Sequence, residues 1–344
     1  METQPSGIRV SFTTRATTVE LHLHPTRVAY IGFERDRGAV DVFVDSHLHA
    51  RHALTGGDLY EIDMATGTGR LVAGEDEVIR IAGLPGRDAH VEIWLPHNEH
   101  VDLVGLRSDA PLEPLDDTRP LWLHHGSSIS QGSNAIAPSL IWPAVAARLG
   151  DVRLHNLGFG GSAMVDPFLA RVMRDTPADL ISIKLGINVV NLDAMRARSL
   201  VPAVHGFLDT VREGHPTTPL LLVSPIFSGI HERTPGPGSV DPRSARSGGL
   251  RFIATGNPDD VVRGRLTLEV IRGLFEQIVG ARSDDAHLHL LDGRELYGRE
   301  DAERLPLPDG LHPDTETHDL IARRFAARAF GGDGPLSRSR ATTT

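Results

Sequence analysis

The sequence predicts an all-β sandwich followed by an α/β domain with a parallel sheet and helices on both faces. Three observations carry this. Apolar residues recur with period two in short runs up to about residue 109, separated by turn residues such as Gly32, Gly56-Gly57 and Pro85-Gly86. A Pro- and acid-rich stretch, Ser108 to Asp117, then interrupts the pattern. After Pro120, strand-like runs alternate with helical periodicity, the grammar of βαβ units.

In the first region the runs are 8–12, 19–23, 40–44, 78–81, 91–94 and 101–106. The predicted organisation is a β-sandwich over 7–109, a linker at 110–118, an α/β domain over 119–330 and a disordered tail at 331–344. Within the α/β domain, strands are expected at 121–123, 152–156, 180–185, 220–223 and 288–291. Helices are expected at 139–149, 167–174, 194–213 (bent at Pro202), 266–281 and 315–329. The long irregular stretch from Ile226 to Asp260 exceeds an ordinary loop and reads as the rim of a site.

Composition bounds the chemistry. The 344 residues are 40% hydrophobic and 23% charged, enough to build a core. No cysteine is present, which excludes a thiol nucleophile, a disulfide framework and Cys-ligated zinc. A net charge of -10 argues against nucleic acid as partner. Lys184 is the only lysine; every other one of the 35 Lys and Arg residues is arginine. Met1 to Pro5 does not read as a secretory signal. No run approaches the about 18 apolar residues of a membrane span. A cytoplasmic protein with no membrane partner is expected.

The chemistry-bearing residues sit at the predicted strand ends, where ligands bind in such sheets. Gly126-Ser127-Ser128-Ile129-Ser130-Gln131-Gly132 follows the first strand and would raise a serine hydroxyl to the sheet's rim. It is not the five-residue Gly-x-Ser-x-Gly elbow, since Ser130 stands where the second Gly would be. Near the carboxy terminus, Asp309-Gly310-Leu311-His312 spaces a carboxylate to orient an imidazole that could take the serine proton. Between them lie Asn156 to Gly161 and Gly186-Ile187-Asn188, able to supply the N–H and amide donors that an oxyanion requires.

Four blocks in this order resemble the SGNH (GDSL-type) serine hydrolases over roughly residues 119 to 330. Gly56-Gly57-Asp58-Leu59-Tyr60 is similar to the Gly-x-Asp-Leu-Tyr motif of a β-domain that precedes one branch of that family. The resemblance implies a flavodoxin-like α/β/α hydrolase domain behind a jelly-roll-like β-domain. It implies Ser128 as nucleophile, His312 as base and Asp309 as its orienter, with Ser128, Gly161 and Asn188 forming the oxyanion hole. No cofactor is implied. The sequence departs from the family at Ser127 and Val189, where an Asp is usual. The expected partner is a small-molecule ester carrying a small acyl group, such as acetyl on a sugar or polar metabolite. Lys184 is expected to brace the strand that delivers Asn188, or else to touch substrate, and Glu232 is expected to touch substrate.

Two other readings compete. Asp45-Ser46-His47-Leu48-His49 looks like the opening of a metal-dependent amidohydrolase, but that reading requires a (β/α)₈ barrel, and short β runs continue to residue 106. The second is a catalytically dead protein that binds carbohydrate or a partner. Retention of Ser128, Asn188, Asp309 and His312 argues against it. Trp122 and Trp142, flanking the first block, are expected to anchor the core.

Overall fold

The computed structural model describes residues 4–33, 36–63, 66–245 and 250–337. The chain forms two compact units. One comprises Met1–Thr118 with Ala135–Ile141, and the other Arg119–Asn134 with Trp142–Thr344.

The first unit is built from β1 (Arg9–Thr14), β2 (Thr18–Tyr30), β3 (Ala39–Val44), β4 (His47–Ala53), β5 (Asp58–Asp63), β6 (Thr68–Val72), β7 (Glu77–Ala82), β8 (Ala89–Trp94), β9 (His100–Ser108) and β10 (Leu112–Pro114). They form two sheets, β10-β1-β8-β3-β4 and β6-β5-β2-β7, with β9 also pairing with β2. Along β2, Val19, Leu21 and Leu23 are fully buried while the residues between them are not, as strand alternation requires. These side chains share one core with Val40 and Val42 of β3, Ile79 and Ile81 of β7, and Val91 and Ile93 of β8. Each such burial contributes about 1.5–3 kcal/mol.

Three sequence expectations change here. Within the expected linker, Leu112–Pro114 pairs with β1 as an edge strand, a position where a proline without an N–H costs little. No strand run is expected over β4, β5 or β6, because their residues are half-buried or exposed and carry weak apolar alternation. The helix expected from Ser139 starts instead at Trp142. The residues before it, Ala135–Ile141, belong to the β unit. There the Ser139 hydroxyl donates to Asp41, a fully buried carboxylate that also receives Arg51.

In chain order the second unit comprises β11 (Leu121–Ser127), α1 (Ser128–Gln131), α2 (Trp142–Leu149), β12 (Arg153–Phe159), α3 (Pro167–Asp175), β13 (Leu180–Lys184), α4 (Ile187–Asn191), α5 (Ala197–Gly214) and β14 (Leu220–Val223). It continues with β15 (Gly238–Val240), α6 (Pro242–Ala245), β16 (Phe252–Ala254), α7 (Leu268–Gly280), β17 (Leu288–Leu291), α8 (Arg299–Arg304) and α9 (Thr315–Phe325). The sheet is parallel throughout, in the order β12-β11-β13-β14-β17, the flavodoxin-like arrangement. β13 and β14 are buried along their whole length, as strands covered on both faces must be. Pro202 lies inside α5, which runs unbroken to Gly214.

After β11 the chain moves to β12 on one side and then to β13 on the other. That reversal opens a crevice beyond the carboxyl ends of β11 and β13. The expected tail is placed as far as Ser337: Leu336 is buried and its N–H donates to Ala329 O, because an apolar side chain is available to cover the last helical turn. The remainder of that expectation, 338–344, lies outside the described residues. Among the described residues no helix is long and apolar enough to cross a membrane.

Candidate active site

β11 ends at Ser127, whose extended backbone (φ -80°, ψ -166°) turns the chain into the four-residue α1. The Ser127 hydroxyl accepts the Ile129 N–H, which is the service an N-cap aspartate would also give. Ser128 is the first residue of α1 and is 8% exposed. Its carbonyl accepts the N–H groups of Gly132 and Ser133, closing the turn. Beside it, the N–H of Asn156 Nδ2 donates to Ser130 O at 2.9 Å. β12 approaches so closely that a Cβ at Gly158 would lie 2.4 Å from Gln131 N.

The carboxy-terminal block meets this serine. His312 Nε2 lies 2.9 Å from Ser128 Oγ, and His312 Nδ1 lies 2.7 Å from Asp309 Oδ2. Gly310, at φ +83°, turns the chain so that the N–H groups of Leu311 and His312 return to Asp309 Oδ1. Burial alone would raise the Asp309 carboxyl. The hydrogen bond and charge of His312, joined by these two backbone N–H groups, outweigh it and hold the carboxyl below its ordinary value. With Nδ1–H given to Asp309, Nε2 presents its lone pair to the serine hydroxyl.

Sequence reasoning missed the support around this line. Asn134 Nδ2 donates to Asp309 Oδ2 at 3.3 Å from a left-handed backbone (φ 67°). Fully buried His318 on α9 accepts the Trp142 N–H and donates to Ser133 O, tying down the turn after α1. Burial pushes the His318 imidazole down to about 4, so it holds these bonds as a neutral ring. Phe252 of β16 sets its ring edge-on to His312 at 5.7 Å, and its N–H donates to Asp309 O. The long stretch after β14 therefore does border the histidine. These residues act through contacts across dozens to nearly 200 residues of sequence, which no local pattern reveals.

Gly161 follows β12 and Asn188 follows β13, the two strands that flank β11. Asn188 is buried, and its Oδ1 accepts the Ala163 N–H at 3.1 Å. That bond joins the Gly161 turn to Asn188 and leaves the amide Nδ2 as a donor. Gly186, at φ +119°, admits the turn into α4; a Cβ there would lie 2.7 Å from Pro225 Cγ. Val189, in place of the family's usual acid, is fully buried in the core.

Other candidates fall elsewhere. The Glu232 carboxylate is held by Arg272 at 2.6 and 3.0 Å, a pairing that occupies both its oxygens. Lys184 is 2% exposed within β13, and burial, with the charge of Arg272, pushes its ammonium down to about 8. No hydrogen bond joins either residue to Ser128, Asn188 or His312 among the described residues. The Glu232 carboxylate is thus already paired, and Lys184 lies buried at the end of the strand that leads to Asn188. Trp122 and Trp142 are fully buried and pack with Phe325. His47 and His49 lie on an antiparallel strand, each ring facing a backbone carbonyl, so the barrel reading has no fold to stand on.

Residues 120–230 match the model of the GDSL-like Lipase/Acylhydrolase family. No curated protein matches the sequence. Among solved structures, the salicylyl-acyltransferase SsfX3 from a tetracycline biosynthetic pathway is 27% identical, with a TM-score of 0.76 over 94% of this chain and 82% of that one. A family two carbohydrate esterase from Clostridium thermocellum is 15% identical, with a TM-score of 0.61 over 94% of this chain and 90% of that one. An acetyl xylan esterase from Butyrivibrio proteoclasticus is 12% identical, with a TM-score of 0.53 over 92% and 88% of the two chains.

Proposed function

We propose that this SGNH-type enzyme, with its GDSL-like acylhydrolase stretch at 120–230, is a serine esterase working through an acyl-enzyme on Ser128. The observation that carries the reading is the hydrogen-bonded line from Ser128 Oγ through His312 to Asp309. In the proposed reaction, His312 Nε2 takes the hydroxyl proton as Oγ attacks the ester carbonyl. Asp309 fixes the tautomer and stabilises the imidazolium that forms. The Ser128 and Gly161 N–H groups and the Asn188 amide receive the oxyanion, each donor being worth about 10²–10³ in rate. His312 then returns the proton to the leaving alcohol, and a water, activated by the same nitrogen, releases the acid.

The substrate we propose is an ester of a small acyl group on a sugar or polar metabolite, acted on without metal or cofactor. A second reading, transfer of the acyl group to an alcohol, is favoured by the likeness to the acyltransferase over 94% of the chain. Both readings need the same acyl-enzyme. A fluorophosphonate should label the wild-type protein at Ser128 and leave Ser128→Ala unlabelled and inactive on p-nitrophenyl acetate. Turnover by Ser128→Ala would sink the assignment. Adding an alcohol acceptor to the wild type then separates the two: new ester in place of free acid selects transfer.

A further inference from the structure

Beyond the carboxyl ends of β14 and β17 lies a cavity of about 250 Å³ that the proposed reaction does not use. Phe227, Ile230, Tyr297, Pro306 and Leu307 supply apolar walls, and Arg251 stands among the lining residues. Several polar groups of the walls are already hydrogen-bonded within the fold. Tyr297 OH donates to Leu305 O at 2.6 Å, the Phe227 N–H donates to Tyr297 O at 2.9 Å, and the Ser228 hydroxyl donates to Gly310 O at 3.1 Å. A ligand's polar end therefore meets chiefly the Arg251 guanidinium, which is exposed and bonded to no carboxylate among the described residues. A second cation stands close by: the Arg299 guanidinium lies 4.8 Å over the ring of Phe227.

From this we infer a second ligand site, for a small monocarboxylate with an apolar ring. Size excludes more than one ring, since pockets for drug-sized molecules begin at about 300 Å³. The apolar walls take the ring by burial, and a planar guanidinium matches a carboxylate with two parallel N–H donors. No acid is among the lining residues, and Asp241, the carboxylate that feels the charge of Arg251, is already bonded to Arg243, so the walls favour an anion over an amine or a neutral sugar. Gly310, the residue between Asp309 and Leu311, also lines the cavity, so an occupant rests against the turn that holds His312.

The test is calorimetric titration of the full chain with benzoate and with benzamide, its neutral counterpart. Benzoate should bind saturably and benzamide about tenfold more weakly, the usual worth of one charge-assisted hydrogen bond. Arg251→Gln should weaken benzoate about tenfold and leave benzamide unchanged. Equal binding of the two probes, no saturable binding, or benzoate binding indifferent to Arg251→Gln would each overturn the site. Binding that survives fluorophosphonate labelling of Ser128 supports a separate cavity, and binding abolished by the label places benzoate in the active site instead. Failure of the label to react counts against the esterase reading alone, because the Arg251→Gln comparison does not depend on it.

Discussion

At the scale of single residues, the environment of Asp309 decides how the proposed triad responds to pH. Its carboxyl is held below the ordinary range by the hydrogen bond and charge of His312, against the burial that would raise it. Asp309→Asn should lower kcat by about 10⁴ through the wrong tautomer, measured on p-nitrophenyl acetate with the fold checked by circular dichroism. For stability the sign is that of a depressed acid: Asp309 contributes above its unfolded value, and the contribution is lost as pH falls through the folded value. Lys184 has the opposite character. Its folded ammonium lies at about 8 against 10.5 unfolded, so between those values the unfolded chain binds more protons and stability rises with pH. Lys184→Met should flatten that rise in denaturant melts and, below pH 8, be neutral or stabilising by about 1–4 kcal/mol. A destabilised Lys184→Met protein would show that the ammonium has a bonding role.

Elements set the position of the proposed nucleophile more than Ser128 itself does. α1 is only four residues long, too short to hold its own geometry, and it is clamped from below by β12 and from behind by buried side chains. His124 shows the second clamp: its ring lies 2.8 Å from Ser130 Oγ and 2.7 Å from Ser182 Oγ, and the latter also accepts the Trp122 N–H. Burial, together with the charges of His125 and Lys184, keeps His124 far below its usual value, hence neutral and able to serve as donor on one side and acceptor on the other. Gly158→Ala would push a methyl into the backbone of α1, where nothing flexible can yield. We expect kcat to fall at least about tenfold and stability to fall by about 1–3 kcal/mol, read from turnover and thermal melts of the same sample. Local sequence gave good access to this level. The five strands of the parallel sheet and the longer helices between them are strongly apolar, so their order could be read directly, whereas the short elements α4, β15, α6, β16 and α8 could not. The clamps could not. His124, Asn134 and His318 act through partners distant in sequence or through rings whose neighbours only the fold supplies.

For the whole molecule, the sheet order explains why the four blocks converge. Ser128, Gly161 and Asn188 follow three adjacent parallel strands, and the turn bearing His312 comes from the far end of the chain to meet them. What the sequence hid at this scale was the division of the chain. A Pro- and acid-rich segment reads as a clean boundary, but Ala135–Ile141 belongs with residues 1–118 and not with its sequence neighbours. Its tie is the Ser139 hydroxyl and N–H on the Asp41 carboxylate, one long-range contact that no composition change announces. A protein beginning at Arg119 would leave that segment without its partners. It should lose the cooperative melt of the full chain, and an unchanged melting profile would show the segment to be dispensable.

The same interleaving bears on how such a protein can be inherited or rebuilt. A crossover in the gene at the apparent boundary near residue 118 would trade the β unit but keep the old Ala135–Ile141 patch, mating it to a stranger. Successful exchange would need two breakpoints moved together, or a substitute for Asp41 in the incoming half. The β unit therefore travels with its catalytic partner as one heritable block, and libraries that shuffle it should be cut in pairs.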